Sequence, residues 1–231
     1  MKLHTTTIGD GPRAAALVHG LSGDGGTWFE LAPWIADHGY TVTLVDQRGH
    51  GRSDRASSYL TDELADDLVE TLPPGLDFIA GHSLGGRSLL LAAERLRPSR
   101  AIYLDPGWEV PDDLVLERPV RADGSELDLE ELAAVLPEGY SRAHAENAHR
   151  ALALFDPAWL ARRPHLPDLE PPTPPVVPSL VVLADPTTVV TPALANRLRA
   201  GGYEVRVVAG SHHDLHIVNL AQTRAAIEDW L

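Results

Sequence analysis

The sequence predicts an α/β fold with a mostly parallel central sheet and helices on both faces. Short apolar runs alternate with stretches of helical spacing along most of the chain. The runs are continuously apolar rather than alternating with polar residues, which is typical of strands buried on both faces of a parallel sheet. The predicted strands are 14–18, 41–45, 77–80, 101–104, 180–184 and 203–208.

Between these strands the apolar residues recur at helical spacing. The segment 27–38 places Trp28, Leu31 and Ile35 on one face, and Pro98 ends a helix rich in Leu, Ala and Arg. A proline cannot continue a helix, so this boundary is well defined. The predicted helices of this part of the fold are 27–38, 59–72, 84–97, 192–200 and 219–231.

The alternation breaks between 106 and 178, where the sequence shows no clear strand. Two helices are predicted there, at 128–136 and 142–155, and the segment closes with the proline-rich run 171–175. Such a run fits neither a helix nor a central strand. The chain is therefore divided into a core of 1–105 and 179–231 and a helical cap, or lid, of 106–178.

Composition excludes several classes of function. The chain has 231 residues, a formal net charge of -14 and no cysteine. The acidic charge disfavours nucleic acid as a partner, and the lack of cysteine excludes disulfides, thiolate metal sites and a cysteine nucleophile. No apolar run is long enough to span a membrane, and the first residues lack the apolar core of a signal peptide. The expected location is the cytoplasm.

The strongest chemical signal is the motif G-x-S-x-G at residues 81–85, between a predicted strand and a predicted helix. A turn this sharp strains the backbone of Ser83, and glycines are needed two positions to either side because side chains there would clash. The turn presents the serine hydroxyl above a helix N-terminus, whose dipole favours developing negative charge. Ser83 is therefore the predicted nucleophile.

A serine hydroxyl needs an adjacent base. The expected base is a histidine on the loop after the last strand, and three histidines lie there, at His212, His213 and His216. The order serine, acid, histidine along the chain also suits this fold class. Position alone leaves the choice among the three open.

Several motifs together resemble the α/β-hydrolase family of serine hydrolases. They are His19-Gly20, the turn D-Q-R-G-H-G-R-S at 46–53, G-H-S-L-G-G at 81–86 and G-S-H-H-D-L-H at 210–216. The resemblance implies the α/β-hydrolase fold, with a helical cap inserted after the sixth strand. Aligning the final motif with the family's G-x-G-H-x-x-H favours His213 as the base, with His212 as the alternative.

The acid departs from the common family pattern. The family usually places it in G-x-x-D-x-x-T-P after the strand that follows the insertion, but Thr188 occupies that position here. Asp185 lies three residues earlier. Asp105 ends the strand before the insertion, where some members of the family carry their acid. Asp105 is the favoured acid and Asp185 the alternative.

The expected oxyanion hole consists of two backbone N–H groups, those of Leu84, directly after the nucleophile, and Leu21, after His19-Gly20. The glycine-rich run 20–26 lacks the spacing of a phosphate or dinucleotide loop. His144 and His149 are not at the spacing of a helical metal site. Neither a cofactor nor a metal is predicted.

The predicted chemistry is cleavage of a small carboxylic ester or lactone through an acyl-enzyme. A serine at position 83 argues against family members that use a carboxylate nucleophile. Amide or C–C bond hydrolysis on the same triad stays open, as does non-catalytic binding of a small ligand. Trp108 and Tyr140 are predicted to line the substrate pocket under the cap, although aromatic residues of the cap, Phe155 and Trp159 among them, could equally form its own core.

Overall fold

The computed structural model describes residues 1–110, 119–121, 125–162 and 166–231, with the side chains of 161 and 162 excluded. Within these residues the chain forms a seven-stranded sheet in the order β1-β3-β2-β4-β5-β6-β7. The strands are β1 Thr5–Ile8, β2 Arg13–Val18, β3 Tyr40–Val45, β4 Phe78–His82, β5 Ala101–Leu104, β6 Ser179–Asp185 and β7 Glu204–Ala209.

Six of the seven strands run parallel, which confirms the predicted fold class. The sequence did not predict β1, which pairs antiparallel with β3 at the sheet edge. Its sequence is Thr-Thr-Thr-Ile, and its three threonines are exposed. A short polar edge strand lacks the apolar run on which strand prediction depends.

The described residues form nine α-helices, and most agree with the predicted segments. Their bounds are α1 Leu31–Asp37, α2 Thr61–Thr71, α3 Leu84–Leu96, α4 Leu129–Val135, α5 Arg142–Leu154, α6 Ala158–Arg162, α7 Pro192–Ala200, α8 Leu215–Val218 and α9 Leu220–Ile227. The predicted helix 27–38 is a 3₁₀ turn, Gly25–Trp28, followed by α1. Asp24 caps that turn by accepting a hydrogen bond from the N–H of Gly26.

The core lies on both faces of the sheet because consecutive strand residues point to opposite sides. In β2, Ala16 and Val18 join one apolar cluster, with residues of α2, α3 and α7. Ala15 and Leu17 join the other cluster, with residues of α1 and α9. This sandwich holds the carboxyl ends of the parallel strands along one edge, where ligands bind in open α/β sheets.

The predicted cap region contains α4, α5 and α6, all between β5 and β6. The sequence predicted four strands before this region, and the structure adds one more, β1. The region therefore follows the fifth strand of this chain rather than the sixth. Its ties to the core include Arg150 Nη2, which donates to both carboxylate oxygens of Asp24 at 2.9 and 3.1 Å, and a contact of 2.9 Å between His144 Nε2 and Glu30. That the segment is a separate cap stays a prediction. No helix in the described ranges is long and apolar enough to cross a membrane.

Candidate active site

Ser83 lies at the sharp turn between β4 and α3. Its backbone takes φ 49° and ψ -113°, a conformation that costs energy for any residue with a side chain. A Cβ on Gly81 would lie 2.5 Å from the carbonyl oxygen of Gly85, and a Cβ on Gly85 would lie 2.2 Å from that of Val18. Both contacts are shorter than atoms tolerate, so the two glycines allow the turn that exposes the hydroxyl.

His213 connects this serine to a buried carboxylate. Its Nε2 lies 2.9 Å from Ser83 Oγ, and its Nδ1 lies 2.6 Å from Asp105 Oδ2. The imidazole is 30% exposed, whereas the Asp105 side chain is fully buried. Donation from Nδ1 to the carboxylate leaves Nε2 free to accept the serine proton.

Asp105 directly follows β5 and takes a positive φ of 38°. Its second oxygen, Oδ1, accepts the N–H of Ala184 in β6 at 3.1 Å. The two carboxylate oxygens therefore have distinct partners, one holding the side chain to the sheet and one facing His213. This fixes the direction in which the carboxylate presents its charge.

The alternative acid and base lie elsewhere. Asp185 is exposed, and its N–H donates to Ser211 Oγ at 3.2 Å. In the described part of the chain no ion pair joins the Asp185 carboxylate to a histidine. The His212 ring is 49% exposed and lies 3.7 Å from Asp214. The structure thus brings together Ser83, His213 and Asp105, but neither alternative.

The two backbone groups expected to form an oxyanion hole flank the serine. Leu84 is the first residue of α3, so its N–H has no acceptor within that helix. Gly20, which precedes Leu21, lies close enough that an added Cβ would be 3.2 Å from Ser83 Cβ. The loop at Leu21 and the start of α3 therefore border the same space in front of the serine.

His19 orients the first of these loops, a role that the sequence did not assign. Its Nε2 accepts the N–H of Gln47 at 3.0 Å, so the proton resides on Nδ1, which donates to the carbonyl of Gly20 at 2.6 Å. That carbonyl belongs to the same peptide plane as the Leu21 N–H. The Gln47 side chain donates back to the His19 carbonyl at 2.7 Å and accepts from Ser88 at 2.8 Å. The H-G dipeptide was the available sequence signal.

His82 contacts the backbone of the loop that carries His213. It is buried, and its Nε2 lies 3.1 Å from the carbonyl oxygen of His213. Burial, with the nearby His213, lowers the pKa of His82 to about 4, so the ring is neutral near pH 7. A neutral ring with its proton on Nε2 can donate to that carbonyl and hold His213 in place.

The pKa of His213 is raised above its ordinary value. Burial opposes protonation, but the hydrogen bond that His213 donates to Asp105 and the negative charges of Asp214 and Asp105 outweigh it. The same interactions would stabilise an imidazolium formed during proton transfer.

A cavity of about 260 Å³ adjoins the site. It lies between the loop at Leu21 and the helices α4 and α5, and His82 and Asp214, the chain neighbours of Ser83 and His213, form part of its wall. Tyr140 also lines the cavity, and its hydroxyl donates to Asp214 Oδ2 at 2.7 Å. The apolar part of the wall includes Leu21, Phe29, Leu132, Leu136, Ala148, Ala151, Leu152 and Ile217.

Trp108, the other residue predicted to line the substrate pocket, does not reach this cavity. It is fully buried, donates from Nε1 to the Gly86 carbonyl at 3.3 Å, and packs against Tyr103 and Tyr203. The turn at Asp105 sends the chain back beneath α3, so the indole fills the core rather than the pocket. Phe155 and Trp159 of the cap region also pack into an apolar cluster, together with Leu84.

Known proteins share the fold of this chain. A model described as "Alpha/beta hydrolase family" matches residues 16–226. The chain belongs to the alpha/beta hydrolase family. Among solved structures of the same fold, an N-acyl homoserine lactone degrading enzyme superposes with a TM-score of 0.72 at 21% identity, covering 99% of this chain and 96% of that one. A marine microorganism esterase superposes with a TM-score of 0.68 at 20% identity, covering 100% and 99%.

Curated members of the family share more sequence over a shorter span. A pimeloyl-[acyl-carrier protein] methyl ester esterase of Methylococcus capsulatus (strain ATCC 33009 / NCIMB 11132 / Bath) is 32% identical over 57% of this chain and 54% of that protein. A 2-(acetamidomethylene)succinate hydrolase of Mesorhizobium japonicum (strain LMG 29417 / CECT 9101 / MAFF 303099) is 33% identical over 62% and 54%. The chain thus spans about half the length of the curated relatives it matches. Across the described ranges, no group of three or more histidine, aspartate or glutamate side chains is arranged to hold a metal ion.

Proposed function

We propose that this chain is a serine hydrolase that cleaves a small carboxylic ester or lactone. The observation that carries the proposal is the hydrogen-bonded series Ser83–His213–Asp105, with 2.9 Å and 2.6 Å between the joined atoms. Nucleophile, base and orienting carboxylate are in direct contact, which is the arrangement that activates a serine hydroxyl.

The reaction proceeds in two acyl-transfer steps. His213 Nε2 accepts the Ser83 proton as Oγ attacks the substrate carbonyl, and the N–H groups of Leu21 and Leu84 stabilise the resulting oxyanion. The imidazolium then protonates the alcohol oxygen as its bond to the acyl carbon breaks, which leaves an acyl-serine; an ester releases its alcohol, whereas the alcohol of a lactone stays on the acyl chain. Water then attacks the acyl-serine as the same nitrogen takes its proton, and that proton passes to Ser83 Oγ as the acyl–Oγ bond breaks and the carboxylic acid leaves. Asp105 orients the imidazole and stabilises its positive charge in both steps.

An ester or lactone is the substrate best supported. One relative is named as a methyl ester esterase, and one protein of similar structure is named as a lactone degrading enzyme. Esters require less protonation of the leaving group than amides, and the cavity beside Ser83 is lined mainly by apolar side chains.

A fluorophosphonate probe tests the nucleophile. The wild-type protein is expected to bind the probe covalently, and Ser83→Ala is expected to abolish labelling. Ser57→Ala, which removes an exposed serine, is the matched control and should label normally. An unlabelled wild-type protein, or equal labelling of Ser83→Ala, would contradict the proposal.

A matched panel separates the bond classes. One acyl group is presented as a p-nitrophenyl ester, a p-nitroanilide and the corresponding lactone, and kcat/KM is compared. The ester or lactone should exceed the anilide. Faster turnover of the anilide would favour amide hydrolysis on the same triad, and tight binding without turnover of any substrate would favour a ligand-binding role.

A further inference from the structure

We propose that Asp214 makes the site select acyl groups that are short, aliphatic and either uncharged or cationic, and reject those that carry a carboxylate. This inference rests on the proposed function, because the acyl group is the part of the substrate expected to occupy the cavity beside Ser83.

Asp214 is placed to act on whatever fills the cavity. It follows His213 in the chain and forms part of the cavity wall. Its side chain is 26% exposed, with Oδ2 accepting the Tyr140 hydroxyl at 2.7 Å and Oδ1 3.7 Å from His82 Nε2. The Tyr140 hydroxyl therefore holds one oxygen of the carboxylate in place, while His82 lies near the other oxygen beyond hydrogen-bond distance.

The charge of Asp214 is not cancelled by these neighbours. Burial opposes ionisation, but the nearby histidines His82 and His213 and the Tyr140 hydrogen bond lower its pKa below the ordinary value. Burial keeps the pKa of His82 at about 4 and raises that of Tyr140, so both are neutral near pH 7. A hydroxyl and a neutral imidazole stabilise a carboxylate without removing its net negative charge.

The rest of the described wall contains no permanently charged cation. Its polar members are Thr27, His82, Tyr140, His144 and Asn147 beside serine and backbone, and Arg and Lys are absent from the described lining. Arg150, on the same helix as His144, is paired with Asp24. The formal net charge of the chain, -14, has the same sign as Asp214 and disfavours the approach of anions.

The size and lining of the cavity limit the acyl group further. Its volume of about 260 Å³ lies just below the range of roughly 300–1,000 Å³ that suits drug-sized ligands. Leu132, Leu136, Leu152 and Ile217 line it, which favours an aliphatic chain over a polar one.

Three p-nitrophenyl esters of equal chain length test the charge preference. They are p-nitrophenyl hexanoate, mono-p-nitrophenyl adipate, which ends in a carboxylate, and the hexanoate analogue that ends in a trimethylammonium group. One unit charge near a carboxylate, at an effective dielectric constant of about 20, predicts a kcat/KM at least about tenfold lower for the adipate than for the hexanoate. The trimethylammonium ester should equal or exceed the hexanoate.

In the variant Asp214→Asn, the ratio of kcat/KM for the hexanoate to kcat/KM for the adipate should fall by at least about threefold, whatever happens to the absolute rate. Asp10→Asn is the matched control. It also removes one negative charge, from an exposed loop before β2 at the opposite edge of the sheet, and should leave the ratio unchanged.

Ionic strength gives a second measurement that needs no variant. Raising salt from about 0.01 M to about 1 M shortens the Debye length from about 30 Å to about 3 Å. The wild-type ratio of hexanoate to adipate should therefore fall by roughly threefold, while kcat/KM for the hexanoate changes less.

The outcomes separate the inference from the proposed function. Equal kcat/KM for hexanoate and adipate, or an unchanged ratio in Asp214→Asn, overturns the charge selection while leaving the serine hydrolase in place. If the fluorophosphonate probe does not label the wild-type protein and none of the three esters is hydrolysed, both the charge selection and the proposed function are wrong.

Discussion

Replacing Asp105 by asparagine tests which carboxylate supports the histidine, and the structure dictates how the amide would settle. Oδ1 of Asp105 accepts the N–H of Ala184, so the amide oxygen of the asparagine must occupy that position. The NH₂ group then faces His213 Nδ1, where Oδ2 now lies 2.6 Å away. Since two donors cannot share a hydrogen bond, Nδ1 must become an acceptor and the ring proton moves to Nε2.

That tautomer cannot accept the Ser83 proton. The expected loss in kcat is about 10⁴-fold, by analogy with the same exchange in serine protease triads, and corresponds to roughly 5.5 kcal/mol of transition-state stabilisation. Because the shape of the side chain is retained, KM should change little. The assay is hydrolysis of a p-nitrophenyl ester, with circular dichroism to show that the variant is folded.

Asp185→Asn is the matched control, since Asp185 ends the neighbouring strand but is exposed. Its kcat should stay within a few-fold of the wild-type value. A loss of about 10⁴-fold in Asp185→Asn together with near-normal turnover in Asp105→Asn would refute the assignment and the tautomer reasoning together.

Two further predictions concern the base and the oxyanion loop. Burial opposes protonation of His213, but the hydrogen bond to Asp105 outweighs it and raises the pKa of His213. Because the base must be neutral to accept a proton, kcat/KM should fall as the pH drops, and the midpoint of that fall should lie above pH 6.5, the ordinary pKa of histidine. A midpoint at or below 6.5 in a pH–rate profile would contradict the geometry. His19→Leu frees the carbonyl that orients the Leu21 N–H, so kcat should fall by roughly 10²-fold with KM little changed. Steady-state kinetics that show a rise in KM alone would instead assign His19 to substrate binding.

Much of the sheet could be predicted because buried parallel strands leave a continuous apolar signal. The runs at 14–18, 101–104 and 180–184 correspond to β2, β5 and β6 within a residue or so at each end. The polar β1 left no such signal, since its place depends on pairing with β3 far along the chain. Local composition is therefore a better predictor of elements whose own side chains are buried than of elements held in place by backbone partners far along the chain.

The pocket was harder to predict than the proposed triad. A serine at a G-x-S-x-G turn and a histidine after the last strand are defined by position in the chain. Whether an aromatic side chain such as Trp108 or Tyr140 faces a cavity depends on the path of the backbone in three dimensions. The positive φ of Asp105 turns Trp108 under α3, whereas Tyr140 reaches across to Asp214.

The position of Asp105, the proposed acid, shows that two neighbouring strands contribute to one interaction. The carboxylate comes from the end of β5, but the N–H of Ala184 in β6 sets which of its oxygens faces His213. In the parallel sheet Leu104 pairs with Val182, so the ends of the two strands are in register and either could bring a carboxylate to the same space. With Asp105 in that space, the loop after β6 needs no carboxylate there. Thr188 at the usual acid position is thus compatible with a complete triad, because β6 still contributes the hydrogen bond that aligns it.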